Sequence, residues 1–304
     1  MPGYKAGGAL RTIANMVEMI GDEFNFSIIT SDRDFGDVNA YENVVLDQWV
    51  QLAKCQVYYM SAQNQSFYTL NKLISETPHD ILYLNSFFDP VFTIRPLLCR
   101  RLKGVPLQPA IIACRGEFSH GSLAIKKWKK RLYIVLARIL GIYRNLTWQA
   151  SSEHEAERIG HVIGETVRQT VVAPDLVFAK CHVKPDKQCS KRMKNTPLRI
   201  VTLLRICQTK NLDYALRIIE KVSVPVIFDI YGPKEDNDYW QLCESIIKGL
   251  PSSVRVQYKG SLEHDDVLHT LADYDLFFYY CREDDLVDII GAKGQRGQKD
   301  KNHR

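Results

Sequence analysis

Short apolar runs alternate with longer stretches of helical periodicity along most of the chain, and this alternation limits its possible folds more than any other feature. Runs such as Ala110–Arg115 and Pro225–Tyr231 are apolar almost throughout, which is typical of parallel strands covered on both faces. Helical stretches such as Ala9–Ile20 lie between the runs. The alternation therefore predicts α/β sheets of the doubly wound type.

The candidate strands form two series separated by a polar segment. The first series is Phe26–Thr30, Ile81–Asn85, Ala110–Arg115, Leu146–Ala150 and Thr170–Ala173, and the second is Leu198–Leu204, Pro225–Tyr231, Val254–Tyr258 and Asp275–Phe278. The candidate helices include Ala9–Ile20, Val91–Lys103, Leu123–Leu140, Asn211–Lys221 and His264–Asp273. A length of 304 residues suits about two domains, which we expect at 1–179 and 198–278. Segment 180–197, rich in Lys, Arg, Gln, Asn and Pro, is expected to link them.

Both ends of the chain depart from this pattern. Gly7-Gly8 followed by a helix is the usual turn after a first strand, but no candidate strand precedes it. Gly291–Arg304 holds a single small apolar residue, Ala292, and such a segment cannot bury enough surface to order itself. We therefore expect a first domain without its first strand, an incomplete second domain and a disordered tail at 279–304.

Composition and motifs exclude several classes of protein. The eight cysteines form no CxxC pair, which argues against a zinc ribbon or a thioredoxin-like site. HExxH, P-loop, GxSxG and RNA-binding aromatic motifs are absent, so we expect neither a metal, a cofactor nor a nucleic-acid partner. No secretory signal opens the sequence and no apolar run reaches the roughly 18 to 20 residues that span a bilayer. The expected location is the cytoplasm.

Two cations follow directly on the candidate strand Leu198–Leu204. Arg205 and Lys210 stand five positions apart in a segment that leads into a helix. Ligands of open α/β sheets bind at the carboxyl ends of the strands, where a guanidinium and an ammonium can both reach a diphosphate. The alternative is a pair of solvated surface cations, which the spacing alone does not exclude.

Two further segments have the chemistry of a binding edge. Gly7-Gly8 precedes an amphipathic helix, whose amino terminus favours an anion, although an ordinary loop glycine pair has the same sequence. Arg115 and Glu117 close the candidate strand Ala110–Arg115 and lie where function concentrates in such sheets. For these two residues the alternative is a salt-bridged loop.

The segment Lys126–Arg144 is strongly basic. No Asp or Glu occurs between Glu117 and Glu153. Its apolar residues Ile125, Trp128, Leu132, Val135, Leu136 and Ile139 recur with helical spacing. A basic amphipathic helix of this kind suits peripheral contact with an anionic membrane. The alternative, slightly favoured by the sequence, is a helix that packs its apolar stripe on the sheet and leaves a solvated basic face.

Several motifs together resemble those of bacterial family-4-type glycosyltransferases. In chain order they are Gly3–Gly8, Ile29–Asp34, Tyr83–Phe88, Arg115–Ser119, Trp148–Ser152, Leu204–Ile206 with Lys210–Leu212, Asp229–Pro233 and Tyr274–Phe278. The resemblance runs from Met1 to about Phe278. Each piece alone is unspecific, whereas the combination is specific.

The resemblance implies the GT-B fold, in which two Rossmann-like domains face each other across a cleft. The implied activity is the retaining, metal-independent transfer of a sugar from a nucleotide-sugar donor to a glycan or lipid-linked acceptor, usually in surface polysaccharide synthesis. By resemblance, Arg205 and Lys210 hold the donor diphosphate, Gly7-Gly8 approaches the donor phosphates or the acceptor, and Arg115 and Glu117 line the cleft. A sugar-nucleotide epimerase of the same fold matches the motifs less well.

The sequence departs from the family after Phe278. The family continues with a Glu-x7-Glu motif that contacts the donor sugar and ribose, whereas here the seven residues that follow Glu283 lead to Gly291 instead of a carboxylate. The donor pocket is therefore expected to be incomplete. The alternative function is an inactive remnant that at most binds a nucleotide or an acceptor.

Overall fold

A computed structural model describes residues 8–34, 36–102, 108–164, 167–176, 196–263 and 266–279. These residues divide into two compact units, 8–176 and 196–279. Gly7, the predicted linker up to residue 195 and the predicted tail after Tyr279 lie outside the described residues. Within the described ranges, no helix combines the length and the apolar character that crossing a bilayer requires.

The first unit contains two sheets flanked by helices. Its helices are α1 (Gly8–Ile20), α2 (Phe67–Glu76), α3 (Arg95–Arg101), α4 (His120–Ala124), α5 (Lys127–Leu140) and α6 (Glu153–Ile163). Its strands are β1 (Phe26–Ser31), β2 (Trp49–Leu52), β3 (Cys55–Met60), β4 (Leu82–Leu84), β5 (Ala110–Ala113), β6 (Thr147–Ala150) and β7 (Gln169–Val172). One sheet has the order β1-β3-β2, and the other is parallel with the order β4-β5-β6-β7.

The sequence analysis missed the hairpin of β2 and β3. These strands pair antiparallel through a two-residue turn, in which Ala53 has a φ of 49°. Glycine usually occupies such a position because it tolerates positive φ at little cost. With alanine there, the sequence carries no turn signal. β3 also pairs parallel with β1, so it joins the hairpin to the α/β pattern.

An aromatic core lies under the parallel sheet of the first unit. The rings of Phe87 and Tyr143 stack with centroids 4.3 Å apart, and the Tyr143 hydroxyl donates a hydrogen bond of 2.7 Å to the carbonyl of Phe87. Trp148 of β6 is fully buried beside them. Because Phe87 follows β4 and Tyr143 precedes β6, this core fixes the carboxyl end of β4 against its neighbours.

The predicted helix Leu123–Leu140 is two helices. The helix is interrupted between α4 and α5 at Lys126, which has a left-handed φ of 52°. The slightly favoured prediction, that the apolar stripe of this helix packs on the sheet, is wrong. Its large apolar residues are exposed, and Ala137 is the buried residue of the helix. Periodicity identifies an apolar face but not the direction in which a helix turns it.

The second unit is built on one parallel sheet. Its helices are α7 (Leu212–Glu220), α8 (Asn237–Lys248) and α9 (Val267–Ala272), and its strands are β8 (Leu198–Leu203), β9 (Val226–Tyr231), β10 (Val254–Gly260) and β11 (Leu276–Phe277). The strand order is β10-β9-β8-β11. The two central strands are covered on both faces, with Phe228 and Ile230 fully buried. This agrees with the continuous apolar runs that predicted parallel strands.

Candidate functional site

The carboxyl ends of β8 and β9 continue side by side into the loops that follow them. The Ile206 amide donates to the carbonyl of Pro233 at 2.9 Å, and the Glu235 amide donates to the carbonyl of Ile206 at 3.2 Å. At Gly232, φ is 133°, and a Cβ atom there would lie 1.8 Å from the carbonyl oxygen of Leu204. Only glycine allows this approach, which holds the two loops together and sets Arg205 beside Glu235.

Arg205 lies in this edge with a carboxylate as its partner. Its Nη1 is 2.9 Å from Oε2 and 3.2 Å from Oε1 of Glu235. The two side chains keep 37% and 34% of their surface exposed. An ion pair with that much solvent contact contributes about 0–1 kcal/mol, so a stronger anion can displace the carboxylate at little cost. Sequence reasoning missed Glu235, although its place after the adjacent strand β9 was a usable signal.

Lys210 ends a short 3₁₀ turn, Gln208–Lys210, just before α7. Its Nζ is 3.2 Å from the Tyr279 hydroxyl oxygen and 5.6 Å from the centre of that ring. These are weak contacts with an exposed side chain. The structure therefore brings both predicted cations to the carboxyl end of β8, each with a partner that an anionic ligand can replace.

In the first unit, Arg115 has a different environment. It follows β5 with a left-handed φ of 51°, and 10% of its side chain is exposed. Nε donates to Oδ1 of Asn85 at 2.8 Å and Nη2 donates to the Tyr83 hydroxyl at 2.7 Å, while Nη1 forms an ion pair with Asp175. Tyr83 in turn donates to Gln149 of β6, and burial raises its pKa to about 12. The guanidinium thus joins the carboxyl ends of β4 and β5 to the segment after β7.

The amino terminus of α1 is tied to the same cluster. The Asn85 amide nitrogen donates to the carbonyl of Ala9 at 3.1 Å, and Thr12 Oγ1 donates to Oδ2 of Asp175 at 3.3 Å. Gly8 is the first residue of the helix and is exposed. Of the predicted glycine pair, Gly8 therefore lies in the segment tied to the Arg115 cluster, whereas Gly7 is outside the described residues.

Glu117 is partly buried, and its carboxylate is fully engaged in hydrogen bonds within the first unit. Its carboxylate accepts hydrogen bonds from Ser86 Oγ at 2.8 Å, from the Phe88 amide at 3.3 Å and from the Phe87 amide. Burial raises the pKa of Glu117, and these three donors partly offset that effect. The side chain that was expected to line a cleft serves in this unit to hold the loop after β4 against the loop after β5.

Sequence reasoning also missed the buried carboxylate of Glu155. It accepts from the Gly116 amide, the Ser151 amide and Ser151 Oγ, each at 2.7 Å. The spacing Ser152-x-x-Glu155 is a capping-box signature at the start of α6, and Ser152 Oγ does accept from the Glu155 amide at 3.2 Å. The Glu155 carboxylate, however, crosses to the loop after β5. Sequence spacing predicts the cap but not this second partner.

Neither edge resembles a metal centre. Among the residues that the structure describes, no group of three or more His, Cys, Asp or Glu side chains is placed to hold a metal ion. The first unit offers a rigid, hydrogen-bonded strand edge beside a helix amino terminus. The second offers two cations with replaceable partners, which is the chemistry that binds a diphosphate.

The fold is similar to solved structures of glycosyltransferases. The Anabaena protein HepE in complex with UDP-glucose has a TM-score of 0.60 at 13% identity, covering 92% of this chain and 71% of that one. Sucrose-phosphate synthase from Thermosynechococcus elongatus has a TM-score of 0.55 at 11% identity, covering 88% and 68%. A glycosyltransferase from Rickettsia africae has a TM-score of 0.51 at 10% identity, covering 92% and 71%. The predicted α/β fold of the GT-B type is confirmed.

Sequence comparison adds no assignment. No protein-family model matches the chain, and no curated protein sequence matches it. The family-4 resemblance and the retaining stereochemistry therefore stay predictions that depend on the motifs.

Proposed function

We propose that this protein is a glycosyltransferase that moves a sugar from a nucleotide-sugar donor to a glycan or lipid-linked acceptor, with retention, in surface polysaccharide synthesis. One observation carries the proposal. The fold is similar over 92% of the chain to that of a protein in complex with UDP-glucose, and two cations, Arg205 and Lys210, lie after β8 in the second unit. The fold supports the class of reaction, and the cations supply the chemistry that a nucleoside diphosphate requires.

Arg205 and Lys210 hold the donor diphosphate in this proposal. Arg205 exchanges the Glu235 carboxylate for phosphate oxygens, and Lys210 exchanges the Tyr279 hydroxyl. Each charge-assisted hydrogen bond formed contributes about 1.5–3 kcal/mol, which exceeds the value of the exposed ion pair that is lost. The exchange is therefore favourable for a ligand that carries two phosphates.

The first unit supplies the acceptor side in this proposal. Gly7-Gly8 and the amino terminus of α1 approach the acceptor or the donor phosphates, because backbone amides there favour an anion. Arg115 and Glu117 shape that edge from beneath, through Asn85 and the loop after β4. The proposed place of action is the cytoplasm, at the inner face of the cell membrane, with the basic segment Lys126–Arg144 in peripheral contact with anionic lipid.

The second candidate function is binding without turnover. The sequence favours it at one point, because Glu283 is followed after seven residues by Gly291 and the Glu-x7-Glu carboxylates are therefore missing. In that case Arg205 and Lys210 still bind the diphosphate, but the sugar lacks the contacts that orient it. Nucleotide affinity then exists without sugar transfer.

Titration calorimetry with UDP, UDP-glucose and GDP tests the donor site. The double variant Arg205→Ala, Lys210→Ala should bind the preferred nucleotide at least tenfold more weakly, since two charge-assisted contacts are lost. The matched control is Lys221→Ala, Lys248→Ala. Both control residues are exposed cations of the same unit. Lys221 directly follows α7 and Lys248 is the last residue of α8, so both lie at helix carboxyl ends, at the opposite edge of the sheet from Arg205 and Lys210. Equal affinity of the two double variants contradicts the donor site.

A sugar-release assay separates the two candidate functions. With UDP-glucose, the transferase releases glucose to water or to an added acceptor under single-turnover conditions. Protein that binds UDP with the predicted dependence on Arg205 and Lys210, yet releases no sugar from any of several nucleotide sugars, supports binding without turnover instead.

A further inference from the structure

Helix α5 exposes its apolar stripe. Trp128, Leu132 and Ile139 keep 79%, 62% and 71% of their surface exposed. Val135, Leu136 and Leu140 of the same helix are exposed beside them. With about 3.6 residues per turn, these positions fall on one side of the helix. A contiguous exposed apolar surface of this kind marks an interaction site rather than a chance scatter of side chains.

The opposite side of α5 explains this orientation. The Tyr133 hydroxyl lies 2.6 Å from the hydroxyl of buried Tyr143, and Ala137 packs into the core. Lys130 also points inward, donating to the carbonyl of Ser122 at 2.7 Å with its Nζ 4.9 Å from the ring centre of Phe88. The helix is therefore held by a polar and aromatic face with specific partners. Its apolar face is exposed because the opposite face makes the contacts that hold the helix.

The charge around the stripe indicates what covers it. Lys129 and Arg131 lie at its margins by helical periodicity, and Lys126 and Lys127 are exposed at its amino-terminal end. The stretch between Glu117 and Glu153 contains seven Lys and Arg residues and no Asp or Glu. A covering surface that is both apolar and negatively charged at its boundary matches this arrangement.

We infer that α5 is an interfacial membrane helix that inserts its apolar stripe into an anionic bilayer. The helix lies along the surface with Trp128, Leu132 and Ile139 at the acyl boundary, while the flanking Lys and Arg side chains extend to lipid phosphates. A second copy of the chain fits less well, because pairing this face with itself brings the two basic clusters together. The inference rests on the membrane contact in the proposed function and deepens it by naming the side chains that insert. Vesicle binding is measurable whether or not the protein transfers sugar, so the two can fail separately.

The membrane proposal predicts two components of binding. The electrostatic component weakens with salt, since screening shortens to about 3 Å at 1 M. The inserted stripe gives a component that persists at high salt. If the basic face were solvated and bound lipid by electrostatics alone, no binding would persist at high salt.

The test is co-sedimentation of the full chain with vesicles of phosphatidylcholine containing one third phosphatidylglycerol, at low and at high salt. Trp128→Ser should weaken binding at least tenfold, and Trp128→Ser, Leu132→Ser, Ile139→Ser should remove the salt-resistant part. The matched control is Tyr68→Ser, because Tyr68 of α2 is an aromatic residue that is 75% exposed in the same unit. All these residues are exposed, so circular dichroism and melting temperature should match wild type.

Fluorescence gives an independent readout. Vesicles should shift the emission of Trp128 to the blue and expose it to brominated lipid, and Trp128→Phe should abolish both effects while binding persists. The other three tryptophans lie outside α5: Trp148 and Trp240 are buried and Trp49 of β2 is partly buried, so the difference between wild type and Trp128→Phe isolates the signal of Trp128. Two results overturn the inference: no binding to anionic vesicles, including the case in which the stripe instead pairs two copies of the chain, or vesicle binding that the stripe variants do not alter.

Discussion

Gly232 allows the strand edge that carries Arg205 and Lys210 to form, and its replacement by alanine measures how much that edge depends on one close contact. An added Cβ lies 1.8 Å from the Leu204 carbonyl oxygen, at a φ of 133° that L-residues rarely adopt. Contacts of Cβ atoms below about 3 Å are essentially never seen, so the two backbones must separate by more than an ångström. The variant Gly232→Ala therefore acts on the backbone of β8 and β9, not on a side chain.

The magnitude follows from two terms. The unfavourable φ costs about 1–3 kcal/mol. Separation of the loops also strains the backbone hydrogen bonds from Leu204 to Tyr231 at 3.0 Å and from Gly232 to Gly260 at 2.8 Å. Loss of both costs about 1–3 kcal/mol more. We expect the free energy of opening of this unit to fall by about 2–6 kcal/mol, a large part of the 5–15 kcal/mol typical of a domain.

Native-state hydrogen exchange read by mass spectrometry is the appropriate assay. A chain of two units need not unfold in one step, so a global melting curve can hide a local change. Peptides from β8 and β9 should exchange faster in Gly232→Ala, while peptides from β5 and β6 stay unchanged. Gly249→Ala is the control, because its φ is −89° and its added Cβ has nothing closer than 3.5 Å. Equal protection of β8 and β9 in Gly232→Ala and wild type refutes the reasoning.

Two further predictions concern the carboxylates of Glu155 and Glu117 in the first unit. Glu155→Ala should lower the free energy of unfolding, measured by urea titration, by about 2–4 kcal/mol, because the Gly116 and Ser151 donors lose their acceptor. The control is Glu157→Ala at an exposed position of the same helix, which should change the free energy of unfolding by no more than about 0.5 kcal/mol. Burial raises the pKa of Glu117 above its unfolded value, so its contribution to stability is greatest at acid pH and is lost as pH rises through the folded pKa. Urea titrations from about pH 4 to 7 should therefore show wild type losing stability relative to Glu117→Gln as pH rises; a difference that is constant with pH, or that changes in the opposite direction, contradicts this pKa shift.

Sequence reasoning predicted strands with nearly continuous burial, such as β8 and β9, and also strands that remain largely exposed, such as β7 and β11. Leu198–Leu204 and Pro225–Tyr231 became β8 and β9 with ends shifted by one residue, because an apolar run covered on both faces has one clear explanation. The hairpin of β2 and β3 was missed because Ala53 replaces the glycine that usually marks such a turn. The break at Lys126 was missed for a related reason. The left-handed backbone conformation of Lys126 interrupts the helix, but the apolar periodicity of the sequence continues across it.

The candidate site residues were predictable as positions but not as partners. The rule that ligands bind at the carboxyl ends of strands selects Arg115, Arg205 and Lys210 from the sequence. It does not indicate that Asp175, which is 60 residues from Arg115, pairs with that guanidinium. Nor does it identify Glu155 as the acceptor for the Gly116 amide. Such pairings depend on which loops the sheet order brings together, and the order is a property of the whole unit.

Arg115, Arg205 and Lys210 have different partners, and these partners indicate different roles. Arg115 is 10% exposed and satisfies an amide, a phenol and a carboxylate at once, on a loop that Glu117 and Glu155 hold in place. An anion that takes this guanidinium leaves the partly buried Asn85 and Tyr83 without their donor, each at a cost of about 1–3 kcal/mol, and also displaces Asp175, whose side chain is 39% exposed. Arg205 and Lys210 have exposed partners that water can replace. A ligand therefore gains most by binding at the second-unit edge, and Arg115 is better suited to fix the position of α1 than to bind substrate.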